Sequence, residues 1–331
     1  MRRVLIPLHA PDVAPLALRA AQNVFKVVSL SGETMGTTWS VKAAVRGDAP
    51  ERDLRRVIET CLARVIAQMS QWEPNSDVSR FNRAPAGTWQ LLPEEFCRVL
   101  QQALELAGDS NGAYDPSIGA LSDLWGFGST GRRQVVPDNS AIMEAKAQCG
   151  WQRIALDVVR RAVRQPGGVR LDLSSIAKGF AVDLVSETLS KRGLPDHLVE
   201  IGGELRGSGT KPDLSPWWVT LEDADDMVIA LHGLSIATSG DARRYVEDGD
   251  RRLSHTLDPR TGWPIPDTLA SVTVLSSSCM KADALATALS VLGAEQGYRF
   301  ACERKVAARF LMRTGQGLCQ SETPAFAAMQ T

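Results

Sequence analysis

The 331-residue sequence lacks the features that identify several common classes of protein. It has no Cys-x-x-Cys pair and no group of Cys and His residues at metal-ligand spacing, which argues against a zinc-binding module. Its formal net charge is only -1, so no broad electrostatic field attracts it to nucleic acid or to anionic lipid. A role in binding polyanions is therefore a poor first hypothesis.

Long apolar runs are absent as well. No stretch approaches the roughly 20 apolar residues that a membrane-spanning helix needs. Pro7, Pro11 and Pro15 interrupt the N-terminal region before it reaches the length of a signal peptide, and no lipid-attachment cysteine lies near the start. We expect a soluble, cytoplasmic protein; the alternative is a periplasmic protein whose start site is misassigned.

The six cysteines are widely scattered, and a chain of this size does not need disulfides. An even number leaves pairing formally possible, but we expect reduced, mostly buried thiols. The 44% of hydrophobic residues is enough for a large core. We predict an N-terminal extension over 1–24 that could be poorly ordered, one domain over 25–320, and a C-terminal tail over 321–331.

Strand and helix signals alternate irregularly along the chain, which favours an α+β fold with mixed sheets and packed helices. Two β-rich runs over 26–45 predict a hairpin that turns at Ser31 to Glu33. Helical periodicity predicts helices over 51–69, 93–106, roughly 140–149 and roughly 282–292. Residues 239–266 are interpreted as a polar loop.

One glycine-rich motif, GFGSTG at 126–131, fits the spacing of a dinucleotide-binding loop. Such a loop needs a strand before it and a helix directly after it. Here a helical LSDLW precedes it and an Arg-rich loop follows it, so we interpret the motif as a turn.

The segment LDLSSIAKGF indicates a phosphate site in outline. We predict that Asp172 ends a strand, that Ser174 or Ser175 caps the following helix, and that Lys178 lies in its first turn. Amide donors and an ammonium group would then lie together. The alternative is an ordinary capped helix whose lysine is solvated.

The segment KADALATAL places Asp283 and Thr287 four residues apart, on one face of a helix. Their two oxygens could bind one hard cation, since Mg²⁺ takes one or two carboxylates together with phosphates and water. The alternative is a helix N-terminus with an acidic first turn.

Two further residues lie in polar loops. His255, in SHTLDPRTGWP, belongs to no apolar stripe and could transfer a proton or donate to phosphate, but it could equally be a plain surface residue. Trp72, between a helix end and Pro74, could stack on a flavin ring or cover the helix terminus.

Taken in order, eight segments over roughly 28–313 resemble the ApbE family of flavin transferases. They are ETMGTTWSV, MSQWEPNSDVSRFN, GAYDPSIGALSDLWGFG, DLSSIAKGFAVD, VEIGGELRGSG, IATSGDARRY, SHTLDPRTGWP and ADALATAL. The resemblance implies an ApbE-like (T-fold-like) fold. It also implies contacts with FAD by Met35, Trp72, Ala113, Tyr114, Asp115, Asp172, Lys178 and the stretch from His255 to Leu257.

The resemblance further implies an Mg²⁺ site formed by Ser175, Asp283 and Thr287. Two departures are visible: family members often carry tyrosine at the position of Trp72, and some carry a second acidic residue where this chain has Ala286. The absence of that carboxylate could raise the Mg²⁺ concentration that the site requires.

The activity implied is an FAD:protein FMN transferase, which attaches FMN through a phosphoester to a Ser or Thr of a target flavoprotein and releases AMP. His255 and Asp283 are the candidate catalytic residues. Two alternatives stay open: an Mg²⁺-dependent pyrophosphatase that hydrolyses FAD to FMN and AMP, and a flavin-binding protein that holds FAD without reaction.

Overall fold

The computed structural model describes residues 3–7, 25–47, 51–131, 135–221, 224–240, 245–248 and 251–330. Numbered along the chain, the strands are β1 Arg3–Leu5, β2 Phe25–Thr34, β3 Thr37–Arg46, β4 Trp89–Leu91, β5 Ala155–Asp157, β6 Ala162–Arg164, β7 His197–Ile201, β8 Glu204–Ser208, β9 Trp217–Leu221, β10 Ala224–Leu231, β11 Leu234–Gly240, β12 Tyr245–Asp248, β13 Arg251–Ser254, β14 Leu269–Ser276, β15 Ala307–Thr314 and β16 Gly317–Glu322. The helices are α1 Glu51–Met69, α2 Asp77–Arg83, α3 Glu94–Asp109, α4 Gly119–Leu124, α5 Asn139–Gln148, α6 Ala177–Lys191, α7 Cys279–Glu303 and α8 Pro324–Ala327.

An eight-stranded antiparallel sheet organises the molecule, in the order β16-β15-β14-β11-β8-β7-β3-β2. Helices α6 and α7 pack against each other. In addition, α6 packs against β7, and α7 packs against β11 and β14. Because strand side chains alternate between faces, Ala237 of β11 joins the core beside α7 whereas its neighbour Ile236 joins a second core. That second core lies against the three-stranded sheet β1-β10-β9. The expected α+β class is confirmed.

The predicted hairpin forms, but its turn lies at Met35 and Gly36 rather than at Ser31 to Glu33. Both turn residues have positive φ, 49° for Met35 and 70° for Gly36, as a two-residue hairpin turn requires. Gly32 instead continues β2, opposite Trp39, where an added Cβ would lie 2.7 Å from the indole nitrogen. The absence of a side chain at Gly32 allows the Trp39 indole to lie across β2.

Three of the predicted helices match α1, α3 and α5 to within three residues at each end. The fourth begins earlier than expected, because Ser278 caps α7 by accepting from the amide of Lys281. Residues 239–266 are not wholly a loop, since β11 extends to Gly240 and β12 pairs with β13. Alternation of charged and apolar residues is too weak there to predict strands.

At the chain ends, Leu5 of β1 and Phe326 of α8 are buried in the second core. Residues 8–24 lie outside the described part of the chain, and the predicted division at residues 24 and 320 stays a prediction. All six cysteines are free thiols; Cys61, Cys97 and Cys279 are buried. Within the described ranges, no helix is long and apolar enough to cross a membrane. The predicted cytoplasmic location stays a prediction.

Candidate active site

Helices α6 and α7 cap each other. Asp183 of α6 accepts from the amides of Cys279 (3.0 Å) and Met280 (3.0 Å), the first two residues of α7. In return, Asp283 of α7 accepts at Oδ2 from the amide of Gly179 (2.9 Å), in the first turn of α6. Amides in the first turn of a helix have no partner within the helix, so each carboxylate satisfies donors of the other helix. This exchange determines where Asp283 lies.

A glycine makes the exchange possible. A Cβ on Gly179 would lie 2.4 Å from the carbonyl oxygen of Cys279 and 2.8 Å from Cβ of Asp283. Both contacts are shorter than any that real side chains make, so the helix backbones approach this closely only at glycine. Asp283 is buried, and burial raises the pKa of its carboxyl, although the nearby Lys178 charge and the Gly179 amide act to lower it.

Lys178 lies beside Gly179 and forms an ion pair with Glu204, the first residue of β8, at 2.5 Å. The lysine side chain is 32% exposed and the glutamate side chain 4%. Burial acts to lower the pKa of Lys178, but the charges of Glu204 and Asp283 outweigh it, so the pKa is raised and the lysine is cationic. Burial and the charge of Asp283 raise the pKa of Glu204 to about 7.

Tyr114 connects a second segment to this site. Ser175 donates to its phenolic oxygen at 3.1 Å. The two meet because the amide of Asp172 donates to the carbonyl of Pro116 and that of Gly119 to the carbonyl of Arg170. Burial raises the pKa of Tyr114, and the carboxylates of Asp283, Asp172 and Asp115 add to the rise, so all of these groups share one region.

The start of α6 differs from the expectation in two ways. Asp172 does not end a strand, because the segment makes only an isolated bridge between Ile118 and Arg170. Neither serine caps the helix, which begins at Ala177; Asp172 instead accepts from the amide (2.9 Å) and hydroxyl (2.5 Å) of Ser174 in a local turn. Two amides in the first turn of α6 are engaged within the protein, because that of Ala177 donates to the carbonyl of Leu173 and that of Gly179 to Asp283.

One face of α7 brings the third segment close. Asp283, Thr287 and Val291 follow one another at intervals of four residues and therefore share a face. Val291 packs with Ala113 and with Ile265. The helix, the Ala113 segment and the His255 loop therefore meet along this face. Ala286, by contrast, packs in the apolar core with Ala237 and Val272.

His255 lies half-buried at the start of this loop, with its ring centroid 6.2 Å from that of Phe127 in an edge-to-face arrangement. Leu257 bridges Pro264, and its side chain is buried with Leu121 and Trp125. The loop is held on α7 by Arg260, which donates to the carbonyl of Val291.

Met35 lies in the β2–β3 turn, and Trp72 lies in the loop that follows α1. Met35 is half-buried and packs on the large core. Trp72 is 51% exposed, so about half of its surface is accessible to a ligand. Its neighbour Gln71 donates to the Ser174 hydroxyl at 3.3 Å, which places this loop against the turn before α6.

Asp115 and the GFGSTG segment both make contacts within the protein. Both carboxylate oxygens of Asp115 are engaged, with Ser117 and with the amide of Trp151. The GFGSTG segment is a turn after α4, as interpreted. A Cβ at Gly128 would lie 2.2 Å from Oδ1 of Asp123, and Asp123 pairs with Arg170 at 2.8 Å.

Known proteins resemble this chain over nearly its whole length. The sequence model of the ApbE family matches residues 35–310. The chain belongs to the ApbE family. An FAD:protein FMN transferase of Haemophilus influenzae is 38% identical over 98% of this chain and 98% of its own length. One of Vibrio cholerae is 35% identical over 94% of this chain and 95% of its own.

Solved structures of ApbE proteins share the fold. The apo form of Pseudomonas stutzeri flavinyl transferase ApbE has a TM-score of 0.86 at 40% identity, covering 92% of this chain and 97% of that one. The flavin transferase ApbE of Vibrio cholerae has a TM-score of 0.85 at 34% identity, covering 92% and 99%. The resemblance deduced from the eight segments is confirmed.

Sequence reasoning missed two carboxylates of this ApbE chain. Asp183 accepts four hydrogen bonds, from Arg206, Ser278 and the two amides that begin α7. Glu204 holds Lys178. The sequence signal for Glu204 is its position after two glycines at the start of a strand. Its partner Lys178 lies 26 residues away in the chain, so the pairing follows only from the fold.

Proposed function

We propose that this chain is an FAD:protein FMN transferase that binds FAD with Mg²⁺ and transfers FMN to a Ser or Thr of a target flavoprotein. Membership of the ApbE family and the relatives named FAD:protein FMN transferase support the activity. The observation that carries the proposal is the convergence of Tyr114, Ser175, Lys178 and Asp283. An ammonium, a carboxylate and hydroxyl groups together suit a diphosphate and a hard cation.

The side chains present fit Mg²⁺. In the described part of the chain, no group of three His, Cys, Asp or Glu side chains could hold a metal, so the ion would rely on one carboxylate, hydroxyls, phosphate and water. Among the same residues, Asp283 accepts one hydrogen bond, at Oδ2, which leaves Oδ1 for the ion. Ser175 and Thr287 would supply hydroxyl oxygens. When bound, Mg²⁺ supplies positive charge against the diphosphate.

The remaining groups would position FAD. Lys178 would bind a diphosphate oxygen, since its ammonium has three donors and Glu204 takes one. Tyr114 and Asp172 would hold Ser175 and its turn in place. Trp72 would stack on an aromatic ring of FAD, because half of its surface is exposed beside the Ser174 turn.

The transfer is a displacement at phosphorus. The acceptor hydroxyl oxygen forms a bond to the phosphorus on the FMN side, the bond from that phosphorus to the bridging oxygen breaks, and AMP leaves with the bridging oxygen. His255 would take the hydroxyl proton, since it lies on the loop that packs against α7. Positioning and charge stabilisation supply most of the catalysis of such a reaction.

Two assays test the proposal. The protein is incubated with FAD and Mg²⁺ together with a flavoprotein that carries an acceptor Ser or Thr, and intact mass spectrometry follows the FMN mass increase on that flavoprotein. AMP release is measured in parallel with and without the acceptor. AMP release without transfer would indicate a pyrophosphatase, and FAD binding with neither product would indicate a binding protein; either result would overturn the proposal.

A further inference from the structure

Glu204 is a buried carboxylate for which the proposed chemistry has no direct use. Its side chain is 4% exposed, Oε1 accepts from Lys178, and Oε2 is buried with no hydrogen-bond partner among the described residues. An unpaired buried oxygen is unfavourable, and Asp283 adds a second negative charge nearby. A buried ion pair is weak evidence of net stabilisation, because the loss of hydration offsets the attraction between the two charges. A net gain in folding stability therefore explains the pair poorly.

The position of the carboxylate is fixed by the sheet. Glu204 follows the Gly202–Gly203 turn between β7 and β8 and pairs with Ile201. A Cβ at Gly202 would lie 3.5 Å from Oε2 of Glu204 and 2.9 Å from Cγ2 of Thr37. The carboxylate therefore lies between the start of α6 and β3, close to the hairpin that carries Met35.

Lys178 has two carboxylates within electrostatic reach, Glu204 and Asp283, but its ammonium pairs with Glu204. If the ammonium moved to Asp283, it would neutralise the oxygen that a metal needs and turn away from the diphosphate. We propose that Glu204 is a positioning residue that holds the Lys178 ammonium off Asp283, so that Lys178 faces the diphosphate of FAD and Asp283 stays available to the cation. This inference rests on the proposed function.

The experiment measures binding rather than turnover. Flavin fluorescence anisotropy gives the Kd of FAD in EDTA and in a series of Mg²⁺ concentrations for wild type, Glu204→Gln, Lys178→Met and the double variant. We expect Glu204→Gln to raise the Kd of FAD and the half-saturating Mg²⁺ each by roughly tenfold. In the Lys178→Met background the same substitution should have no further effect, because it acts through the lysine.

Thermal unfolding separates this role from a structural one. Glu204→Gln removes one partner of a buried pair, but Lys178 is 32% exposed and can be solvated, so the variant should remain folded at the temperature of the binding assay. Glu95→Gln is the matched control, since Glu95 is also an ion-paired glutamate but contacts Arg64 and Gln68 of α1. Should Glu204→Gln fail to fold, Glu204→Asp, which keeps the charge but shortens its reach, carries the same binding expectation.

Three results would overturn the inference: unchanged FAD and Mg²⁺ affinity in Glu204→Gln, an undiminished effect in the Lys178→Met background, or equal effects from Glu95→Gln. A wild-type protein that does not bind FAD at all would instead refute the proposed function. The two failures are therefore distinguishable.

Discussion

The backbone amide of Gly179 donates to Oδ2 of Asp283 at 2.9 Å, and this contact joins the helix that carries Lys178 to the helix that carries Thr287. The contact engages Oδ2 of Asp283, and the proposed cation would bind at Oδ1. Asp183, one turn further along α6, fixes the same two helices through the amides of Cys279 and Met280. The candidate metal site therefore depends on the separation of two helix backbones.

Gly179→Ala tests that dependence. The added methyl carbon would overlap the carbonyl oxygen of Cys279, which is rigid helix backbone, so the helices must separate. We expect the free energy of unfolding to fall by about 1–3 kcal/mol and the half-saturating Mg²⁺ to rise. Urea unfolding and Mg²⁺ titration of transfer activity measure the two effects.

Gly108→Ala is the control for this substitution. Gly108 lies near the end of α3, and its added Cβ would make an ordinary 3.5 Å contact with Trp151. Alanine is the better helix former, so stability should be unchanged or slightly higher. Equal effects of the two substitutions would mean that the close approach of α6 and α7 does not matter.

The spacing of apolar residues along the chain was sufficient to predict those helices that pack one face on the core. Helix α1 could be predicted because apolar residues from Leu54 to Met69 repeat at helical spacing. The end of α6 could be predicted because glycine is the usual residue just past a helix, and Gly193 adopts the positive φ of that position. The β2–β3 turn was misplaced because Met35 is an unusual residue at positive φ. A Ser-Gly-Glu triplet is the stronger turn signal, but here Gly32 accommodates Trp39.

The segments that form the candidate site could be predicted from the sequence, but the contacts between them could not. Asp283 and Thr287 share a helix face in any helix, so their pairing follows from spacing. The mutual capping of Asp183 and Asp283, and the pair of Lys178 with Glu204, join residues from different elements. No local pattern in one sequence encodes such contacts, because they arise from how α6, α7 and β8 pack.

Trp72→Ala tests stacking on FAD. Because Trp72 is 51% exposed, its removal should leave stability nearly unchanged, yet the Kd of FAD should rise by roughly tenfold if the ring stacks on the ligand. Trp72→Tyr should recover most of the affinity. Trp89→Ala is the matched control, since Trp89 is 53% exposed and lies on β4. A similar loss of affinity in the control would contradict stacking by Trp72.

A buried histidine predicts how stability varies with pH. His197 is fully buried, and its Nδ1 donates to the carbonyl of Leu194 while Nε2 accepts from Ser186. Burial lowers the pKa of His197 below 6.5, so the unfolded chain binds a proton more readily. Its contribution is therefore present above pH 6.5 and is lost as pH falls below that value, by at most about 1.4 kcal/mol per pH unit.

His197→Gln isolates this effect. Urea unfolding of wild type and variant is measured from pH 5 to pH 8, and the other titrating groups cancel in the difference. The variant should be less stable at pH 8, by about 1–2 kcal/mol for the lost hydrogen bonds, with a smaller gap at pH 5. A gap that stays constant with pH would show that His197 does not titrate differently in the folded state.

His255→Asn tests the assignment of the proton acceptor. Asparagine keeps a polar side chain of similar reach but cannot take up a proton, so the rate of FMN transfer should fall by roughly 10² or more while FAD affinity and unfolding temperature stay at wild-type values. Intact mass spectrometry of the acceptor protein, in samples quenched at successive times, gives the rate. His232→Asn is the control, because His232 contacts the carbonyl of Gly209 at 2.8 Å, outside the site. If His255→Asn and His232→Asn transfer FMN equally fast, the proton must leave by another route. Loss of FAD binding in His255→Asn would instead place the histidine in substrate binding rather than in proton transfer.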